Sequence, residues 1–550
     1  MKILFEEHIY ATSLLENILG ERYFRPVDHF RSKPDYVGYY FNSRINEAVF
    51  ILPKVFVYNK GKAFGLFDPE EIMDCTSETK IKLRIHGKER VIFELPVWLY
   101  QAMFRFNKRE RDNKISDSES VTNVVTNIDD TVKTELDLVL GMIRFHRENQ
   151  VLLTQIAKIN HSQQHKIHWT KTVSKKNPVF SVDGPVYMDV VSKKKVINYD
   201  EELIVIFYSV LNYLKKKYGF RITINEQYDL ITKRNFEKLL SRGTKVLKSI
   251  KYKYFSDKLL SLWKLLYLFF ERSEKIRSGK KIEEVLMIKD FDIIFEDMID
   301  FLIGDSDIPE SLKYHKDGKQ LDHIYRYGSL IQNDDIYFVG DSKYYREDGR
   351  IDSYSIAKQY TYAKNVIQYN IDLFNRKKLE EGIRYRDSLT EGYNITPNFF
   401  IRAFVNDDFD FLNDGLREDF QTYQNNFHFE NRIFDRDTLS LQGYDINFLF
   451  VLSAYISRNE SLKSRFKEKV RKKFRDRMIE YFNCRYNFYK ITPFDDMESF
   501  VTRYFRLLNG KMYRPTGMNE SLIVGFLKGE ETDTLEMIKV ESVCEVLLLM

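Results

Sequence analysis

Apolar positions in the first hundred residues fall in short runs, 36–41, 48–57, 80–85 and 90–95, rich in β-branched and aromatic side chains. Turn formers such as Asn59-Lys60-Gly61 separate them. The pattern predicts a β-rich N-terminal domain over residues 1–107. It then vanishes. Residues 108–133 (KRERDNKISDSESVTNVVTNIDDTVK) hold no aromatic residue and many Ser, Asn, Thr and Asp, which predicts a linker or mobile loop. Helical periodicity follows over 136–159, 201–218 and 235–277, so residues 134–285 read as a mainly helical middle region. From 286 to 405 the pattern turns mixed α/β: a helix, a hairpin, a second helix and a strand at 398–405. Residues 406–550 read as a mainly helical C-terminal region that completes this unit.

Composition narrows the possibilities only in part. With 550 residues and 43% hydrophobic content the chain is too long for one core, and two to four domains are expected. Lys and Arg exceed Asp and Glu by 86 to 81, so an anionic partner is permitted but not demanded. Cys75, Cys484 and Cys544 are far apart and form no CxxC pair, which excludes a four-thiolate zinc site or a disulfide framework and suits a reducing cytoplasm. Glu6 and Glu7 interrupt any signal-peptide pattern, and no run approaches the ~20 apolar residues of a membrane span. The expectation is a soluble cytoplasmic protein.

The chemically informative segment is LDHIYRYGSLIQNDDIYFVGDSKYYR, residues 321–346. Residues 336–339 read as a buried strand that ends at Asp341, Ser342 and Lys343. Positions i and i+2 of a strand share a face, so Asp341 and Lys343 can address one metal-held water. Asp322 opens the preceding run, 323–327, and a hairpin would bring its carboxylate beside Asp341. Two carboxylates from adjacent strands make a hard oxygen site suited to Mg²⁺. Asp-x-Lys alone is weak, since Asp112-Asn113-Lys114 and Asp317-Gly318-Lys319 repeat it without an apolar strand. Flanking helices add Glu296 (around Asp292 to Ile303) and Gln359 (353–369). Either could equally be an ordinary helix-surface group, as could Asp297 and Asp300.

A helix Glu, an Asp, Asp-x-Lys on a strand and a helix Gln together resemble the PD-(D/E)XK nuclease superfamily. The chain resembles more closely the LlaJI-type restriction endonucleases, related to McrC. The segments YVGYYFNSRINEAVFILPKVFV, HWTKTVSKKNPVF, IYFVGDSKYY and NRIFDRDTLSLQGYDINFLFVL carry that likeness. The resemblance implies a restriction nuclease subunit with Asp322, Asp341 and Glu296 as metal ligands (Mg²⁺, with Mn²⁺ possible), Lys343 as catalytic lysine and Gln359 as a further site residue. Leu321 stands where the motif has Pro. It also implies a McrB-like AAA+ NTPase partner: this chain has no GxxxxGK[ST] element, since Gly279-Lys280 and Gly510-Lys511 both lack the upstream glycine, and residues 1–107, which lack catalytic motifs, are the expected place for partner docking or sequence recognition. The alternatives are a non-catalytic DNA-binding or assembly subunit on a nuclease-like fold, and a recombination-type exonuclease.

Other candidates are weaker. His161, His165 and His168 would share a helical face, but no fourth zinc ligand is near and polar surface histidines are the better reading. Pro34-Asp35 reads as a turn before a strand. Between Lys463 and Arg477 nine basic residues face only Glu468 and Asp476, and Phe466, Val470 and Phe474 recur every four positions. That predicts an amphipathic helix on which Lys469, Arg471, Lys472, Lys473 and Arg475 are candidate contacts to phosphates of double-stranded DNA. A more dilute basic stretch occupies 233–253.

Overall fold

The computed structural model describes residues 1–74, 89–112, 124–126, 134–155, 157–218, 222–280, 282–314, 320–331, 334–345, 351, 353–377, 383–418, 431–530 and 532–550. Two sheets of five strands and a smaller C-terminal sheet of four organise a mixed α/β chain.

The first sheet runs Lys2–Phe5, Glu47–Leu52, Val37–Asn42, Glu283–Ile288, Val124–Thr126. Its fourth strand comes from the far side of the helical region, so this sheet is not made by the first 107 residues alone. Gly38, at φ +139°, permits the close approach of that strand: an added Cβ would lie 2.2 Å from the Leu286 carbonyl oxygen. The strand expected at 90–95 is instead part of the helix Glu89–Asp112. Buried Ile92, Leu95, Leu99, Met103 and Phe106 follow the 3.6-residue period, which a six-residue window cannot reveal. Residues 80–85 and the linker stretches 113–123 and 127–133 lie outside the described residues.

The middle region contains the expected helices Glu202–Tyr218, Lys233–Ile250 and Asp257–Arg277. The first expected helix ends early, at Glu135–Glu148 and Gln150–Gln155, and gives way to strand Ala157–Ile167. That strand pairs antiparallel with Ser192–Ile197, and between them lie helix Trp169–Lys175 and the hairpin Val179–Ser181/Gly184–Val186. Since 157–167 is extended, the helical histidine face does not form; the side chains of His161 and His165 are outside the described residues. Buried charges tie the region together. Arg272 pairs with Glu135 and with Glu284, Lys217 lies 2.7 Å from Glu135, and Tyr39 donates to Glu284 at 2.9 Å.

The second sheet positions the candidate chemistry. Its elements are α1 (Asp292–Ile303), β1 (His323–Gly328), β2 (Asp335–Lys343), α2 (Ser353–Asn375), β3 (Pro397–Phe404), β4 (Arg417–Glu418), β5 (Ser440–Asn447), α3 (Phe448–Ile456) and α4 (Glu460–Arg485). The strand order is β1-β2-β3-β5-β4. The β1/β2 hairpin is antiparallel, β3 and β5 run parallel to β2, and β4 closes the edge antiparallel. The sheet therefore extends past residue 405 to Asn447. The C-terminal region, expected to be mainly helical, also holds the sheet Met512–Tyr513, Leu522–Leu527, Tyr486–Pro493, Ser542–Leu547.

The two large sheets share one apolar core. Phe56 packs edge-on against Phe448 at 5.4 Å, and Trp98 against Phe411 at 5.1 Å. The Tyr344 hydroxyl, one residue after β2, donates to Glu6 at 2.6 Å. No described helix is long and apolar enough to cross a membrane.

Candidate metal centre

Strand β2 is apolar along Ile336–Val339 and buried on both faces, yet it ends in Asp341, Ser342 and Lys343. Gly340 makes that ending possible. An added Cβ there would lie 2.0 Å from the Phe399 ring, so glycine lets β3's aromatic lie against the strand just before its acid. The hairpin pairs His323 with Gly340; one step further, the same register sets Asp322 opposite Asp341. From above, α1 contributes Glu296. Carboxylate oxygens of Glu296, Asp322 and Asp341 lie within 4.8 Å of one another, and Lys343 Nζ is 2.6 Å from Asp341 Oδ2.

Helix α1 is held so that Glu296 faces inward. Arg109 donates to both oxygens of Asp297, at 2.9 and 3.0 Å, and the Tyr455 hydroxyl donates to the same carboxylate at 2.6 Å. One turn on, Asp300 accepts from Lys313 at 2.8 Å and lies 3.7 Å from His323 Nδ1; His323 Nε2 is 2.5 Å from Ser342 Oγ. Three of the acids of α1, each open to a surface reading from sequence, have separate surroundings: Glu296 the acidic cluster, Asp297 Arg109 and Tyr455, and Asp300 Lys313 and His323.

The electrostatics are those of an anionic cluster short of positive charge. Burial, then Asp341 and Asp292, push Glu296 up to about 8. Burial, then Glu296 and Asp341, raise Asp322 well above the carboxylate range. Burial opposes the charge of Lys343, but Asp341 and Asp322 outweigh it and its pKa is raised. Lys358 on α2 behaves alike: burial opposes its charge, and a hydrogen bond with Tyr362 and the fields of Asp322 and Asp341 overcome it. Asp341 is fully buried, and its Oδ1 has no standing hydrogen-bond donor; the adjacent Asp322 carboxyl can serve only when protonated.

These donors fit a hard divalent cation. Oxygen ligands at roughly 2.0–2.6 Å place two ligands of one ion up to about 4–5 Å apart, which the cluster meets. Three carboxylates against two ammonium groups leave a negative balance for the ion to offset, and its arrival would relieve both raised acids.

Gln359 is fully buried but lies behind the cluster, where its Nε2 donates to the Val339 carbonyl at 3.1 Å and to Asn398 at 3.4 Å. It fixes α2 to β2 and β3. Lys358, its neighbour, joins the field of the cluster although the sequence does not distinguish it from the other lysines of α2.

The basic helix α4 forms as expected, but most of its cations are used within the molecule. Arg471 is buried, donates to the Ile303 carbonyl at 3.0 Å and to Asp305 at 2.6 Å, and lies over the Tyr325 ring. Arg475 donates to the Ser329 carbonyl, Lys473 to the Leu416 carbonyl and Lys469 to Asp414. Of the five candidate phosphate contacts, Lys472 is exposed and has no such bond among the described residues. The helix is a strut between α1, β1 and β4, because its cations, flanking the face of Phe466, Val470 and Phe474, reach the carbonyls of Ile303, Gly328 and Leu416 at or beside the ends of those elements.

A family model described as LlaJI restriction endonuclease matches residues 82–413, more than half of the chain. Among solved structures, a refined half-complex from the tetradecameric assembly of Thermococcus gammatolerans McrB AAA+ hexamers with bound McrC is similar at 11% identity and a TM-score of 0.29. That likeness covers 85% of this chain and 98% of that one, and it is too distant to carry an argument. No curated protein matches.

Proposed function

Because this chain belongs to the LlaJI restriction endonuclease family, we propose that it is the DNA-cleaving subunit of a restriction system, a Mg²⁺-dependent endonuclease acting on double-stranded DNA. The observation that carries this reading is the convergence of Glu296, Asp322 and Asp341 within 4.8 Å, with Lys343 against Asp341. We read α1, the β1/β2 hairpin, α2 and parallel β3 as a PD-(D/E)XK-type core, with an acid on the first helix, acids facing across the hairpin and the lysine two residues beyond the second.

Glu296, Asp322 and Asp341 would hold Mg²⁺ or Mn²⁺. When bound, such an ion lowers the pKa of water and draws off charge that builds on a phosphodiester. The chain's own groups supply the rest. Lys343 stays charged despite partial burial, so it can orient the attacking water or offset charge on the phosphoryl oxygens. Lys358 keeps a second ammonium in reach of the same field. Gln359 positions the strand by gripping the Val339 carbonyl two residues before Asp341. Ser342 and His323, the neighbours in sequence of Asp341 and Asp322, are buried and paired with each other.

An NTP-driven step would belong to a McrB-like AAA+ partner, since the sequence has no phosphate-binding loop. The segment between Ala157 and Ile197 offers that partner surface to bury. Trp169, Val173, Phe180, Val182 and Met188 are all exposed there. The test is cleavage of supercoiled plasmid with Mg²⁺ and the partner NTPase supplied. Wild type linearises or nicks the circle, and Asp341→Ala does not. Equal cleavage by both proteins overturns the assignment, and an intact circle with degraded linear DNA points to an exonuclease.

A further inference from the structure

The register of the second sheet places four charged residues in one row. Lys343 on β2 is the direct neighbour of Arg402 on β3, Arg402 of Asp445 on β5, and Asp445 of Arg417 on β4. Paired positions on neighbouring strands carry their side chains on the same face. At ~4.8 Å per strand the row spans about 14 Å from the lysine beside the metal cluster to the sheet edge.

The row is built rather than incidental. Asp445 is almost wholly buried, and each of its oxygens holds one guanidinium: Arg402 Nε at 2.9 Å on Oδ1 and Arg417 Nε at 3.0 Å on Oδ2. Arg417 also lies over the Phe404 ring at 4.1 Å, which fixes its plane. Its side chain is nevertheless 60% exposed, and its ion pair with Asp445 uses Nε rather than the terminal amino groups. Arg402, Arg417 and Asp445 line a cleft of about 200 Å³, shared with Asn59 of the N-terminal turn and with Asp407. Two acids accompany the two arginines there, so the cleft's advantage is geometric and not a matter of net charge. A planar fork locked by a buried carboxylate, as that of Arg417 is, presents ordered N–H donors, the arrangement that suits phosphate oxygens.

We propose that Arg402 and Arg417, clamped by Asp445, bind the DNA backbone phosphates that flank the scissile one, so that the row beginning at Lys343 leads the strand across the sheet edge. This rests on the nuclease reading above and adds to it the path of the substrate. It also moves the backbone contact from α4, whose cations are largely used internally, to β3 and β4.

The experiment is duplex binding by the full-length chain in Ca²⁺, followed by fluorescence anisotropy across a salt series. Each phosphate contact contributes about 0.9 to the slope of log affinity against log salt. Arg417→Gln should lower that slope by about one with a modest fall in melting temperature, because Arg402 keeps Asp445 Oδ1 paired while Oδ2 loses its guanidinium. Arg417→Lys, which keeps the charge but not the fork, should retain the slope and weaken binding several-fold. A slope for Arg417→Gln equal to that of wild type, in a protein that still binds and cleaves DNA, overturns this proposal alone. A wild-type chain with no duplex binding even with the partner NTPase supplied overturns the nuclease reading and this inference with it.

Discussion

Neutralising Glu296 should stabilise the metal-free protein, and only at high pH. The carboxyl has an ordinary value of 4.5 and is pushed up to about 8 by burial and by Asp341. Below pH 4.5 the folded and unfolded chains both carry the proton, and no penalty exists. As pH rises the unfolded chain gives up its proton first, so stability present below 4.5 is progressively lost up to and through pH 8. At ~1.4 kcal/mol per tenfold change, moving from 4.5 to 8 sets a ceiling on the order of 5 kcal/mol. Asp322 and Asp341 share in the same repulsion, so removing one charge returns about 2–3 kcal/mol. Glu296→Gln keeps the shape and removes the charge. In EDTA at pH 8.5 it should melt roughly 2–5 °C above wild type, and at pH 4.5 the two should coincide. Mg²⁺ should raise the wild-type melting temperature, by binding the folded state, and raise that of the variant far less. Melting curves collected at both pH values with EDTA or Mg²⁺ give all four comparisons. An Mg²⁺ shift as large in Glu296→Gln as in wild type would refute the reasoning, as would a difference in EDTA that does not grow with pH.

Four further outcomes follow from particular contacts. Lys343→Met should reduce plasmid cleavage by about a hundred-fold or more while Mn²⁺ still binds, because it removes a positioned cation and leaves the carboxylates; calorimetric titration beside the cleavage assay separates the two effects. Gly340→Ala should lose about 1–3 kcal/mol in denaturant unfolding, since its Cβ meets the Phe399 ring, and Phe399→Leu should recover part of that loss. Arg272→Met should cost about 3–5 kcal/mol, as it takes the counter-ion from buried Glu284 and leaves Glu135 to Lys217. Arg471→Ala should destabilise the fold measurably yet leave the salt slope of DNA binding unchanged, because its guanidinium faces Ile303 and Asp305 rather than solvent.

The parts legible in the sequence are those whose signal is local. Helix α1 announced itself by apolar period, and β2 by a β-branched and aromatic run ending in Asp341 and Lys343. Hairpin distance alone was enough to put Asp322 opposite. What the sequence concealed depends on partners remote along the chain. Strand β5 reads SLQGYDIN, too polar to suggest a central strand, yet every position is buried. Its charged and amide ends are answered by Arg402 and Arg417 at Asp445, and by the Asp410 and Asn413 carbonyls at Asn447. The charges of α4 suggested DNA because sequence shows a cation but not the carbonyl it will meet. Residues 90–95 imitated a strand because the helical period of Ile92, Leu95 and Leu99 becomes visible only over a longer span.

The nuclease reading requires three carboxylates, from α1, the mouth of β1 and the end of β2, to hold one divalent ion. Anomalous diffraction from crystals grown with Mn²⁺ tests it without reference to DNA or to a partner. The account predicts a single strong peak within about 2.0–2.5 Å of an oxygen from each of Glu296, Asp322 and Asp341, absent in Asp341→Ala. Saturating Mn²⁺ with no peak among these side chains, or a peak that survives the loss of Asp341, would contradict it.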